Sequence, residues 1–240
     1  MTGWHEGLMC AYDTESTDSN PCTARIVTAC VSWVDGSGQS KPVTRTWLAD
    51  PGVEISPGAA KIHGISTERA RNEGASPVTV LAEITEELLS AAAKGIPVVA
   101  FNIPFDFTLT DRETRRHGLE PFWPEFKAAN GYAIDPHVLD KHLSYRKGKR
   151  TLGLTAEHYG VKAGTAHDAA GDAITAARVA WAIAKKYPKI AGTPLGDLME
   201  YQEVAKAEQA ESLEKYFRSM NKDEVVDGSW PIREWRGEDL

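Results

Sequence analysis

Leu8-Met9-Cys10-Ala11-Tyr12-Asp13-Thr14-Glu15-Ser16-Thr17 is an apolar run that ends in two carboxylates. Residues 8–14 read as a short strand, and on a strand residues i and i+2 point to one face. Asp13 and Glu15 would therefore project together. Two carboxylates on one edge suit Mg2+, a hard cation that prefers oxygen ligands. The pattern alone is weak, because Asp111-Arg112-Glu113 repeats it on a predicted helix, where i and i+2 diverge. Placement, and not pattern, separates the two.

Outward from this strand, residues 25–34 and 43–48 read as two more, rich in β-branched side chains. Asp35-Gly36-Ser37-Gly38 between them is a turn signal, which predicts a hairpin. Ser66 caps a short helix. Ser76-Pro77 opens a longer one, and Val78, Leu81, Ile84, Leu88 and Ala92 then recur at helical spacing until Gly95. Residues 97–101 read as a buried central strand that leads through Asn102 and Pro104 into a helix toward Gly118. Residues 132–134 suggest a last strand, and 151–159 and 168–187 helices. Three strands followed by alternating helices and strands predict an α/β domain with a mixed sheet.

Residues 186–195, with Pro188, Gly192 and Pro194, read as a linker. This predicts a main domain over 1–188 and an appendage over 189–240, made of linker, helix and a tail holding Trp230 and Trp235. Leu198, Tyr201, Ala205, Leu213, Phe217 and Met220 give the appended helix an apolar stripe for packing on the domain or on a partner.

Of the 240 residues, 42% are hydrophobic and 25% charged, enough for a sizeable core without disulfide staples. Cys10, Cys22 and Cys30 are odd in number and fit no metal-ligand spacing; Cys10 and Cys30 read as buried thiols of a reducing compartment. No apolar run approaches the roughly 18 residues of a membrane span, and residues 1–10 lack signal-peptide character. The expectation is a cytoplasmic protein. A net charge of −7 argues against a protein that simply coats nucleic acid, since such binders are usually basic. It does not argue against an enzyme that holds phosphates through metal ions.

Asp106, just inside the helix after the buried strand, would lie near the carboxyl ends of the central strands, where α/β sheets hold ligands. Its alternative is an acidic residue in a first helical turn, favoured by the helix dipole. His167 and Asp172 stand five residues apart, about 140° of net rotation on a helix. They converge only if His167 precedes the helix and Asp172 lies within it, with Asp168 as an N-cap or first-turn residue. Singly, each also reads as a solvated polar residue.

Taken together, Asp13-Thr14-Glu15, Asn102-Ile103-Pro104-Phe105-Asp106 and His167 to Asp172-Ala173 resemble the motifs of the DEDDh, or DnaQ-like, exonuclease family of the ribonuclease H-like superfamily. Lys61-Ile62-His63-Gly64-Ile65-Ser66 and Thr151-Leu152-Gly153-Leu154 add to the likeness, which spans residues 8–187. The resemblance implies a ribonuclease H-like mixed five-stranded sheet flanked by helices. It also implies a 3′→5′ exonuclease using two Mg2+ ions, for which Mn2+ substitutes. Asp13, Glu15, Asp106 and Asp172 would hold the metals and His167 would act as general base. Ser16, Thr17, His63, Asn102 and Phe105 would line the pocket for the terminal nucleotide. DNA is favoured over RNA as substrate, in repair or replication, and a polymerase or other protein is a possible partner through the C-terminal appendage. A non-catalytic accessory or nucleic-acid-binding protein is the alternative of another class. The chain departs from the family after the first motif: Ser16-Thr17-Asp18-Ser19-Asn20-Pro21 is polar and lacks the usual glycine and apolar wedge. Tyr145-Arg146-Lys147-Gly148-Lys149-Arg150, the densest basic run, is a candidate contact for the substrate backbone.

Overall fold

The computed structural model describes residues 3–164 and 168–235. Five strands, β1 (Leu8–Ser16), β2 (Ile26–Asp35), β3 (Val43–Leu48), β4 (Val98–Val99) and β5 (Ala133–Ile134), form one sheet in the order β3-β2-β1-β4-β5. β1 pairs antiparallel with β2 and parallel with β4, so the sheet is mixed, with β1 at its centre.

The alternation of β1 decides what meets the sheet on each side. Cys10 and Tyr12 point into a core built with α3 (Pro77–Ala93), α4 (Ile103–Arg116) and α5 (Phe122–Ala128), where Leu81, Ile84, Leu88, Phe107, Phe122 and Phe126 are buried. Met9 and Ala11 point the other way, onto α8 (Ala169–Lys186). The face of α8 turned to the sheet is nearly all alanine: Ala169, Ala173, Ala177 and Ala180. Small side chains at such a contact let the helix lie close. By the same parity Asp13 and Glu15 fall on the α8 side and Thr14 on the α4 side.

Three short helices were not legible in the sequence: α1 (Pro57–His63), α5 and α6 (Pro136–Leu143). α2 (Thr67–Glu73) starts at the cap Ser66, whose hydroxyl accepts from the Arg69 N–H. α7 (Leu152–His158) follows the 145–150 loop. Within the stretch read as a linker, Pro188–Gly192 is a helical turn, α9, with Ile190 buried and its carbonyl accepting from Trp4 Nε1. The last helix, α10 (Leu195–Ser219), packs on α6 and β5 through buried Leu198, Gln202 and Ala205.

Asp111-Arg112-Glu113 diverges as a helix requires, yet all three side chains are buried. Asp111 accepts from Arg112, Arg115 and the Trp123 N–H. Arg112 also donates to the backbone carbonyls of Arg233 and Glu234, and Trp235 stacks on the guanidinium groups of Arg112 and Arg115. On the opposite side, Glu113 accepts from the Ile26 N–H and from Arg116, which also reaches the carbonyls of Cys22 and Ala24. The helix that carries Asp106 is thus gripped by the C-terminal tail on one side and by the β1–β2 loop on the other.

The basic run is partly internal. Arg146 and Arg150 turn toward the fully buried Asp140, which Tyr159 also bonds. A carboxylate taken out of water needs such counter-charge. Lys147 and Lys149 alone among its basic residues stay exposed.

Among the described residues no helix is long and apolar enough to cross a membrane.

Candidate active site

β1 delivers Asp13 and Glu15 on its α8 face, and Asp172 comes from the first turn of α8. One carboxylate oxygen from each of the three lies within 4.8 Å of those of the other two. Asp168 is the N-cap of α8, its side chain accepting from the Gly171 N–H. That cap starts the helix where Asp172, one turn on, meets the strand. His167 lies outside the described residues.

Asp106 approaches from the other face of β1. It is buried, and its Oδ1 accepts from the Thr14 N–H at 3.0 Å and the Thr14 hydroxyl at 2.7 Å. Thr14, between Asp13 and Glu15, therefore ties the second motif to the first. Tyr12 and Thr110 repeat the tie one turn further along α4, at 2.8 Å.

Close carboxylates in a half-buried setting repel one another. Burial pushes Asp13 well above the usual carboxylate range, and the charges of Asp106, Asp172, Glu15 and Asp168 push it further. Glu15 is raised to about 7, by burial first and then by Asp172, Asp106 and Asp168. Asp106 is also raised to about 7 by burial, against the lowering effect of the Thr14 bonds. Without a cation such a cluster holds protons; a divalent ion replaces them. The donor set fits: all-oxygen carboxylate ligands match Mg2+ or Mn2+.

Beside the cluster, Glu15, Ser16, Asp18, Ser19, Ser56, Ala59, Ile62, His63 and Phe105, with Thr14 and Gly58, line a cleft of about 340 Å³. His63 ends α1, where its Nδ1 accepts from the Ile65 N–H and Gly64 supplies the left-handed cap at φ 74°. The other two expected pocket residues do not line this cleft. Thr17 uses its hydroxyl to accept the Arg25 N–H and close the β1–β2 loop. Asn102 sits in the left-handed conformation, φ 71° and ψ 52°, at the turn into α4. The exposed tip of the β1–β2 loop is Asp18, Ser19 and Asn20, polar as the sequence implied.

Sequence reasoning missed Asp135. It is fully buried after β5 and accepts from the Asn102 and Ile103 N–H groups at 3.0 Å each, as well as capping α6. Asp135-Pro136 has the same cap-then-proline pattern as Ser76-Pro77, but nothing local reveals the reach to residue 102.

A mixed five-stranded sheet of this order is the ribonuclease H-like arrangement, and the carboxylates converging at the end of its central strand form a candidate divalent-metal site. The family comparison agrees. The model of the RNase T exonuclease family matches residues 10–180, and the chain belongs to that family. No curated protein matches at a significant level. Among solved structures, Escherichia coli Exonuclease I in complex with a dT13 oligonucleotide is similar at 18% identity and TM-score 0.63, covering 77% of this chain and 42% of that one. A moderately thermophilic Exonuclease I from Methylocaldum szegediense matches at 21% identity and TM-score 0.62, covering 76% and 41%. The zinc-bound E. coli Exonuclease I complex with single-stranded DNA gives 18% identity and TM-score 0.65, covering 82% and 43%. The chain thus spans less than half the length of these proteins.

Proposed function

We propose that the protein is a 3′→5′ exonuclease that removes nucleotides from single-stranded or frayed DNA ends, using two Mg2+ ions that Mn2+ can replace. The observation that carries this reading is the convergence of Asp13, Glu15 and Asp172, with Asp106 hydrogen-bonded to the residue between the first two. Asp13, Glu15 and Asp172 would hold one ion, with Asp13 and Asp106 serving the second. Bound divalent ions supply an activated water and charge neutralisation at the phosphate. The chain's own residues do the rest. Thr14 fixes the Asp106 carboxylate, and Ser16, His63 and Phe105 border the space for a terminal nucleotide. Phe105 offers a stacking face that accepts any base. His167, by its match to the family motif, would take the proton from the attacking water, since imidazole titrates near neutral pH. The polar tip Asp18-Ser19-Asn20 gives this enzyme hydrogen-bonding groups where relatives use an apolar wedge.

DNA is preferred because the Exonuclease I structures that share the fold hold DNA oligonucleotides. The free thiols of Cys10 and Cys30 support a reducing, cytoplasmic setting. A replication or repair partner would use the outer side of α10 and its C-cap, where Val204, Tyr216 and Met220 are exposed.

The test is a 5′-labelled single-stranded oligonucleotide incubated with and without chelator. A ladder shortening from the 3′ end that chelator abolishes is expected. Substantially faster cleavage of the matched RNA would reverse the substrate preference. An inactive protein on several 3′ ends with Mn2+ present would favour an accessory role.

A further inference from the structure

Asp135 makes more bonds than a helix cap needs. Its Oδ1 accepts from the His137 and Val138 N–H groups, which completes the cap of α6. The same oxygen also accepts from the Asn102 N–H, and Oδ2 accepts from the Ile103 N–H. Capping explains neither of these two bonds. They hold the turn between β4 and α4, where Asn102 occupies the left-handed region, φ 71°. Residues other than glycine stay in that region only when their surroundings fix them there. Asp106 follows four residues later on a rigid helix, so this turn sets where its carboxylate lies.

From behind, the Asp135 N–H donates to Gln202 Oε1 of α10 at 2.6 Å. The Gln202 amide donates to the carbonyls of Ala133 and Leu198. Gln202 and Asp135 are both fully buried. A hydrogen-bonded line thus runs from the C-terminal helix through Asp135 to the start of α4. From there Asp106 continues it to Thr14, between Asp13 and Glu15.

We propose that Asp135, anchored by Gln202, is a positioning residue that holds Asp106 where the carboxylate cluster needs it to bind a divalent ion. The C-terminal helix is thereby part of the support of the metal site. This rests on the reading that the cluster binds such ions. Residues that orient metal ligands from outside typically contribute about 10–100-fold to metal affinity or activity.

Asp135→Asn keeps the shape and one capping oxygen but puts an NH2 group where a second acceptor is required. The substrate-free variant is titrated with Mn2+ by calorimetry, beside the wild type, and its melting temperature is recorded. We expect the weaker of the ion-binding steps to weaken by about tenfold. In the cleavage assay kcat should fall, KM for the oligonucleotide should stay near wild type, and raised Mn2+ should recover kcat. A folded variant that binds Mn2+ like the wild type overturns the proposal, whatever its melting temperature.

If Asp135→Asn does not fold, Gln202→Met breaks the outer link while filling the same space, and unchanged Mn2+ affinity there also overturns it. On the unsubstituted protein, the Asn102 and Ile103 amides should gain hydrogen-exchange protection when Mg2+ is added; no gain overturns it. Wild-type protein that neither binds Mn2+ nor cleaves refutes the proposed function itself, a result distinct from any of these.

Discussion

Replacing Glu15 by glutamine removes one charge from the carboxylate cluster and keeps its shape. In the metal-free protein Glu15 is raised to about 7 from an ordinary 4.5 by burial and by Asp172, Asp106 and Asp168. The folded protein therefore holds a proton that the unfolded chain has already released, and stability is lost as pH rises from about 4.5 through about 7. Taken whole, the shift corresponds to about 3 kcal/mol at 1.36 kcal/mol per pKa unit. Glu15 keeps some contact with water, and screening there reduces the figure to on the order of 1–2 kcal/mol. For a chain of this size that is roughly 2–8 °C in melting temperature. Buried His5 and half-buried His137, both lowered by loss of water contact, act oppositely over part of this window, because the unfolded chain would protonate them. They do so equally in both proteins, so the difference between variant and wild type reports Glu15 together with the push its charge exerts on Asp13. Calorimetric melts in chelator from pH 5 to 8 should show Glu15→Gln gaining on the wild type as pH rises. With Mg2+ or Mn2+ added the order should reverse, since the ion then needs the charge. A pH-independent difference in chelator would refute the argument that these carboxylates repel one another in the empty site.

Three further outcomes are expected. Asp172→Ala should retain the fold, judged by circular dichroism, and reduce cleavage below about 1% of wild type, at or beyond the hundredfold seen for residues that merely support a metal site. Phe105→Ala should raise KM for a single-stranded oligonucleotide about 5–150-fold, the equivalent of about 1–3 kcal/mol of lost base stacking, with a smaller change in kcat; an unchanged KM would remove Phe105 from the nucleotide pocket. Arg112→Met leaves Asp111 buried with one fewer counter-charge and frees two tail carbonyls. It should cost about 3–5 kcal/mol in urea denaturation, and a loss under 1 kcal/mol would show that the tail does not need this anchor.

What could be read in advance, and what could not, follows the range of the forces involved. The period-two alternation of β1 is local, so the shared face of Asp13 and Glu15 was visible from spacing alone. The cap-and-proline start of α3 and the capped start of α8 at Asp168 are equally local. α1, α5 and α6 run only 7 or 8 residues, too few for a helical period to stand out. Asp111-Arg112-Glu113 served as a counterexample to the first motif, and rightly, since its two carboxylates part to opposite sides of α4. Its burial depends on Arg233 and Glu234, more than 120 positions away in sequence, and no window on the chain contains both. Arg146 and Arg150 looked like phosphate contacts because basic residues beside a glycine usually face water. Asp140, which draws them inward, gives no local sign of being buried. Asp135 escaped notice for the same reason: its bonds to residues 102 and 103 exist only once β4 and β5 lie side by side.

The alanine face of α8 has a bearing on how such a site tolerates change. Asp172 comes close to Asp13 and Glu15 because α8 presents only methyl groups to the sheet at Ala169, Ala173 and Ala177. The bite of the carboxylates is therefore gauged by buried side chains that carry no charge. A chain could keep every acidic residue and still lose its grip on an ion through one added carbon or two in that seam. The spacing between helix and sheet is as much a coordinate of the chemistry as the ligands themselves.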